Sequence, residues 1–164
     1  FIPEDVLHVF EENAAKMRVR LLSLFSIVDV RGPEMTRAET VTLFNDLCLL
    51  APAGLVDPSI EWEEVDGNTV RGHYTVGSNT VSALLTLNAE GELVDFVSDD
   101  RLAASSDGTE FRRRRWSTPV ADYRNFGPRR LFTRGEGRWH PEEGEAFTYF
   151  DARLVALRVN ESDR

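Results

Sequence analysis

The chain has 164 residues, of which 41% are hydrophobic and 10% aromatic, enough for one domain around a single core and too apolar for wholesale disorder. It carries 19 basic against 28 acidic residues, a net charge of −9, which excludes a general affinity for nucleic acid or for anionic membrane surfaces. No apolar run reaches the roughly 18 residues of a membrane-spanning helix, and the single Cys48 excludes a disulfide framework or a multi-cysteine zinc site.

The charge is divided unevenly along the chain. Residues 1–100 hold 18 acidic and 6 basic groups, whereas residues 101–164 hold 10 acidic and 13 basic. Pairing between strands of the two halves explains this, and so does an anion-binding face in the second half. The chain opens at Phe1 without a basic n-region, an apolar h-region or a small-residue cleavage site. These residues alone favour a cytoplasmic setting, and a cell-envelope setting follows if a region precedes Phe1.

Residues 6–30 carry two patterns. Val6, Phe10, Ala14, Met17 and Leu21 recur at helical spacing, yet Val6-His8-Phe10 and Met17-Val19-Leu21 alternate. Enrichment in Val, Ile, Leu and Phe and the stop at Gly32-Pro33 predict strands over about 5–10 and 17–30. Residues 36–50 read as the main helix. Thr36 and Glu39 have the spacing of a capping box. Val41, Phe44, Leu47 and Cys48 form one face, with Leu43 and Leu50 widening it, while Thr42, Asn45 and Asp46 point away. From residue 60 the pattern turns to short alternating runs separated by Asp66-Gly67-Asn68, Gly77-Ser78-Asn79 and Asn88-Ala89-Glu90-Gly91, an antiparallel meander. Further strands are expected at about 110–118, 128–139 and 146–159. Eight to nine strands and one helix make an α+β fold, a curved antiparallel sheet (a half-barrel) wrapped on the helix at about 36–50.

Several segments resemble an uncharacterised family of bacterial proteins of unknown function. They are Arg31-Gly32-Pro33-Glu34-Met35, Leu43-Phe44-Asn45-Asp46, Ile60-Glu61-Trp62, Trp116 with Asp122-Tyr123-Arg124 and Phe126-Gly127, Gly135-Glu136-Gly137-Arg138-Trp139, Gly144 through Phe150, and Val159-Asn160. The resemblance runs over about residues 17–160. It implies a fold similar to the half-barrel of lipoprotein-localisation carriers, with a concave apolar side; members of the family are often longer at the N-terminus, which would make residues 1–164, read as a single domain, the C-terminal part of a longer chain. It brings no assigned catalytic residues. The Arg112-Arg113-Arg114-Arg115 run departs from the family pattern.

Chemistry-bearing motifs are sparse. His8, His73 and His140 lie far apart without a ligand spacing, and Cys48 falls on the helix's apolar face, so no metal and no cofactor are assigned. There is no nucleophile elbow, phosphate loop or dinucleotide fingerprint. Ser105-Ser106 beside Asp99-Asp100, with His73 or His140, is the nearest approach to a triad. The carboxylate pairs Asp99-Asp100 and Glu142-Glu143 read as solvated turns, because neighbours on an extended chain face opposite ways.

On a strand, Arg112 and Arg114 share a face with Trp116. The run reads either as a charged edge that discourages aggregation or as a site for phosphate or a lipid headgroup. Phe44, Leu47, Trp62, Tyr74, Trp116, Tyr123, Trp139 and Tyr149 are the candidate lining of an apolar interior, and a packed core explains the same residues. The expectation is a non-catalytic module that binds a hydrophobic or amphipathic, lipid-like small molecule, with Arg112 and Arg114 at an anionic head. The alternative is a structural or protein-interaction domain with a filled core and no ligand.

Overall fold

The computed structural model describes residues 4–11, 13–21, 25–105 and 109–158. Strands β1 (Glu4–Glu11), β2 (Ala14–Leu21) and β3 (Phe25–Arg31) form an antiparallel three-stranded sheet. Asn13, at φ 66°, turns β1 into β2, a backbone region that asparagine enters more readily than most residues. The single strand expected at 17–30 is therefore two. A run of that length exceeds the ordinary reach of one strand.

Helix α1 (Pro33–Leu50) begins three residues before the expected start. Gly32, at φ 116°, occupies the N-cap, and Pro33 follows at a position where its missing N–H costs nothing. Thr36 is thus inside the first turn, its hydroxyl donating back to the Gly32 carbonyl at 2.9 Å. Glu39 does not close a capping box; it turns inward to Arg101. No helix among the described residues is long and apolar enough to cross a membrane.

After a short 3-10 helix (Pro52–Val56), strands β4 (Ile60–Asp66), β5 (Thr69–Val76), β6 (Asn79–Leu87) and β7 (Leu93–Ser98) run as an antiparallel meander, with the turns where Gly and Asn predict them. The strand expected at 110–118 is broken at Arg114. Its first part, β9 (Phe111–Arg113), pairs with β8 (Leu102–Ala104) as a separate hairpin. Its second, β10 (Arg115–Ser117), joins the main sheet, followed by β11 (Val120–Ala121). The run expected at 128–139 is likewise divided, into β13 (Arg129–Leu131), paired with β12 (Arg124–Phe126), and β14 (Arg134–His140). Strand β15 is Phe147–Arg153.

The main sheet has eight strands and is open. Its order is β11-β14-β10-β7-β6-β5-β4, with β15 also paired to β14. β10 and β11 share one edge of β14, and β15 lies along the other. The architecture is α+β, a curved antiparallel sheet on one helix. Helix α1 lies between the two sheets, touching β2 and β3 on one side and β6 and β7 on the other.

The core sits between α1 and the main sheet. Val41, Phe44 and Cys48 from the helix meet Ile60, Tyr74, Val81, Ala83, Leu85, Phe96 and Trp116. The Phe44 ring lies 5.3 Å from Tyr74, 5.5 Å from Phe96 and 6.0 Å from Trp62, measured between centroids. A smaller cluster of Val30, Met35 and Ala38 ties α1 to the three-stranded sheet. Asn45, expected to face away, is buried and accepts a hydrogen bond from the Thr118 hydroxyl. The helix is covered on more sides than its apolar residues alone require.

The divided charge is largely consumed inside the fold. Asp100, expected in a solvated turn, is 5% exposed. Its carboxylate accepts from Arg37 at 2.6 Å, from Arg113, and from the Ser82 backbone N–H and hydroxyl at 2.8 and 3.1 Å. Burial pushes its pKa up, but the Ser82 and Arg37 hydrogen bonds outweigh burial and hold it below the usual range. Asp99 takes Arg115 at 3.0 Å.

Candidate functional site

A groove of about 580 Å³ runs beneath α1 and opens beside Tyr149. The helix supplies one wall. Glu39, Thr42, Leu43, Asp46, Leu49 and Leu50 line it, a stripe at three- and four-residue steps that a 3.6-residue repeat places on one face. The floor comes from the last third of the chain. Trp116, Thr118 and Val120 alternate along the β10–β11 stretch, and Gly135 and Gly137 alternate along β14. The rim is Val9 and Phe10 from β1 and Tyr149 and Phe150 from β15.

The two glycines make the floor. A Cβ at Gly135 would stand 3.2 Å from the Phe132 ring, and one at Gly137 would stand 3.0 Å from the Tyr149 ring. Tyr149 reaches Gly137 because the β14–β15 register shifts there. Gly137 pairs with Phe150 and Arg138 with Thr148, leaving Tyr149 as the extra residue of a bulge, the feature that re-aims a side chain within a sheet. The Trp116 indole N–H donates to the Tyr149 hydroxyl at 3.1 Å. Tyr149 and Phe150 are 51% and 58% exposed, so the mouth is aromatic and wet on one side.

The most buried charges in the groove pair with each other, while Asp46 and Glu136 add carboxylates to its lining. Arg101 and Glu39, with side chains 12% and 7% exposed, form an ion pair at 3.2 Å. Arg101 also donates to the Ala38 carbonyl and stacks its guanidinium 5.4 Å from the centre of the Trp116 ring. The remaining lining is mostly aliphatic and aromatic. Such a surface strips water from an apolar chain and leaves little to hold a free charge.

A second cavity has a volume of about 330 Å³. It is bounded by Ala103, Ala104 and Ser105 at β8, by Glu110, Arg112 and Arg114 at β9, and by Trp139 and Phe147. Trp139 of its lining and Tyr149 of the groove stand 5.9 Å apart between ring centroids.

The candidate residues are thus dispersed. Trp116 and Tyr149 line the groove; Trp139, Arg112 and Arg114 line the second cavity. Phe44, Leu47, Trp62, Tyr74 and Tyr123 line neither; all five but Trp62 belong to the packed core or lean on it. Tyr123 donates to the Leu93 carbonyl at 2.8 Å, and Trp62 to the Leu55 carbonyl at 3.1 Å. Arg112 and Arg114 do not share a wall with Trp116, because the strand breaks between them. Sequence reasoning missed Gly135, Gly137, Phe150 and Arg101. The glycines at alternate positions of a strand were the legible signal, since they mark a close approach.

The hydroxyl–imidazole contact nearest to catalytic geometry lies away from both cavities. Ser117 Oγ and His140 Nε2 are 2.8 Å apart, yet Ser117 is 2% exposed, out of reach of a substrate. Burial first, then the neighbouring Arg115 and Arg138, lower the His140 pKa. Of the triad imagined from sequence, Ser106 lies outside the described residues, and His73 faces Glu63 at 3.9 Å. Cys48 is buried in the core, and burial pushes its thiol up to about 12.

Fold and groove together define an α+β module with an open antiparallel sheet, one main helix and an apolar groove between the helix and the last strands of the sheet. The chain belongs to the Family of unknown function (DUF6544), whose profile matches residues 1–152. No curated protein and no solved structure matches the chain, and the likeness to lipoprotein-localisation carriers gains no support.

Proposed function

We propose that this chain is a non-catalytic module that binds a hydrophobic or amphipathic, lipid-like small molecule in the groove beneath α1. The observation that carries the reading is the groove itself, about 580 Å³, with Leu43, Leu49 and Leu50 beside polar residues on the helix wall and glycine-cleared strands with Trp116 and Val120 as its floor. That volume lies within the range of about 300–1,000 Å³ usual for small-molecule sites, and suits one acyl-sized chain. Binding works by desolvation. Each methylene removed from water contributes about 0.8 kcal/mol, offset in part by the ordering of ligand and rim side chains. The competing reading, a structural or interaction domain without a ligand, draws on the other side of α1, where Phe44, Tyr74 and Phe96 fill the interior.

Native mass spectrometry of the purified protein, with solvent extraction of what it carries, tests the proposal. A reproducible adduct of lipid-like mass is expected. A clean mass that stays unchanged after incubation with fatty acids, long-chain alcohols and phospholipids overturns it in favour of the filled-core reading.

A further inference from the structure

The arginine run is divided by its partners. Arg113 is held by Asp100 and Arg115 by Asp99. Arg112 has only an exposed contact with Glu110 at 3.5 Å, both side chains being about two-thirds open to solvent. Arg114, half-buried at the break between β9 and β10, has no ion-pair partner among the described residues. Both of these last two arginines border the second cavity, against Trp139 and Phe147. A half-buried guanidinium without an acceptor is a poor arrangement for a fold and a good one for an anion, which supplies the missing acceptors in fork geometry.

The groove makes the complementary argument. Its one buried cation, Arg101, is paired with Glu39 at 3.2 Å through one terminal nitrogen while its buried Nε–H has no acceptor, and Asp46 and Glu136 add further carboxylates to the lining. An anionic group placed there would face like charge. Beyond the Trp139–Tyr149 pair, 5.9 Å between rings, lie Arg114, without an ion-pair partner among the described residues, and Arg112, whose loose exposed partner Glu110 lines the same cavity. Tyr149 belongs to the bulge and is half-exposed, whereas Trp139 leans on the core, so one half of the wall between chain site and head site is a side chain at an open edge.

We infer that the two cavities form one site for a single-chain anionic amphipath, with its apolar chain in the groove and its carboxylate or phosphate head on Arg112 and Arg114. The inference rests on the proposed groove function and adds the class of ligand. Neutral and cationic amphipaths of equal length bind more weakly, because they leave Arg114 without an acceptor.

Calorimetric titration at low salt with dodecanoate, dodecyl phosphate, dodecanol and dodecylamine, each below its micellar range, tests it. At least one of the two anions is expected to bind about tenfold or more tightly than dodecanol, the margin of one charge-assisted hydrogen bond; which anion leads separates a carboxylate head from a phosphate head. The double variant Arg112→Gln with Arg114→Gln, and to a lesser degree Arg114→Gln alone, should bring the anions to the level of dodecanol while leaving dodecanol unchanged. The distant, exposed Arg129→Gln should change neither. Dodecanol binding as well as both anions, dodecylamine binding best, or an anion preference that survives the double variant or falls equally in Arg129→Gln overturns the head-group assignment and leaves the groove reading standing. Failure of all four probes to bind overturns the groove reading and this inference with it.

Discussion

The Phe44 ring rests on the bare backbone of Gly72. A Cβ at Gly72 would come within 2.5 Å of Phe44 Cζ and 2.8 Å of the Trp62 ring. The close seat lets one helix side chain reach Tyr74, Phe96 and Trp62 together. Phe44→Ala should cost about 3–5 kcal/mol, the range for removing a fully buried aromatic. Gly72→Ala should cost about 1–3 kcal/mol by overpacking. Chemical denaturation measures both; a Gly72→Ala protein as stable as the parent would show that the seat is slack.

Gly137 offers the same contact in a different setting. Its neighbour is the Tyr149 ring, on an edge strand with room to swing outward. Gly137→Val should therefore change stability by less than about 1.5 kcal/mol while filling the groove floor. The expected readout is loss of dodecanol binding with little change in melting temperature. Retained binding would place the ligand elsewhere.

Asp95 sets a pH dependence. Burial, only partly offset by the Phe96 backbone N–H and by Arg138, raises its pKa from 3.8 to about 6, and its Oδ1 has no hydrogen-bond partner. The folded state holds this proton more tightly than the unfolded chain does. The stabilisation is complete below pH 3.8 and is lost as pH rises through about 6. Two pKa units correspond to about 3 kcal/mol, and partial exposure reduces this to about 2. Asp95→Asn should match the parent near pH 4 and exceed its stability by that margin at pH 7.5. Urea melts at the two pH values decide it; equal stability at both would remove Asp95 from the titration.

Asp100 has the opposite sign. Its lowered pKa means stability that is present above about pH 4 and lost as pH falls below it. Because it is buried and accepts from Ser82 as well as from the partly exposed Arg37 and Arg113, Asp100→Ala should cost about 1–3 kcal/mol at neutral pH, mainly by leaving the Ser82 N–H without its acceptor. A cost below about 1 kcal/mol would mean that the Ser82 N–H finds water at no penalty.

Cys48 should be silent to thiol reagents in the folded protein. Burial places its pKa near 12, so little thiolate exists at pH 8. Labelling by a disulfide reagent is expected to track unfolding. Rapid native-state labelling would show that the helix opens locally.

The helix and the β4–β7 meander were readable because local chemistry determines them: Gly67, Gly77 and Gly91 lie at the turns, and the apolar period changes from helical to alternating near residue 60. The helix start was misread because Thr36 and Glu39 have capping-box spacing, while Gly32-Pro33, three residues earlier, satisfies the helix start first. The site was harder to read. Alternation gives the two faces of a strand without saying which one a helix will cover, so Tyr74 and Trp116 looked alike, although one packs under Phe44 and the other floors a groove. The bulge at Tyr149 depends on a register between strands that no local pattern encodes. The partition of Arg112 to Arg115 depends on Asp99 and Asp100 arriving from across the sheet.

The rim of the groove is built from opposite ends of the chain, Val9 and Phe10 from the first strand and Tyr149 and Phe150 from the last. During synthesis the site is therefore missing one side until β15 has left the ribosome, long after α1 and the meander are able to pack. A molecule bound as proposed would touch β1 and β15 at once and act as a clasp between them. Peeling back the outermost strand, whose backbone pairs with β14 alone, would unfasten that clasp without disturbing Phe44 and its neighbours. On the proposed function, loading and discharge of the groove would be separated from the integrity of the core.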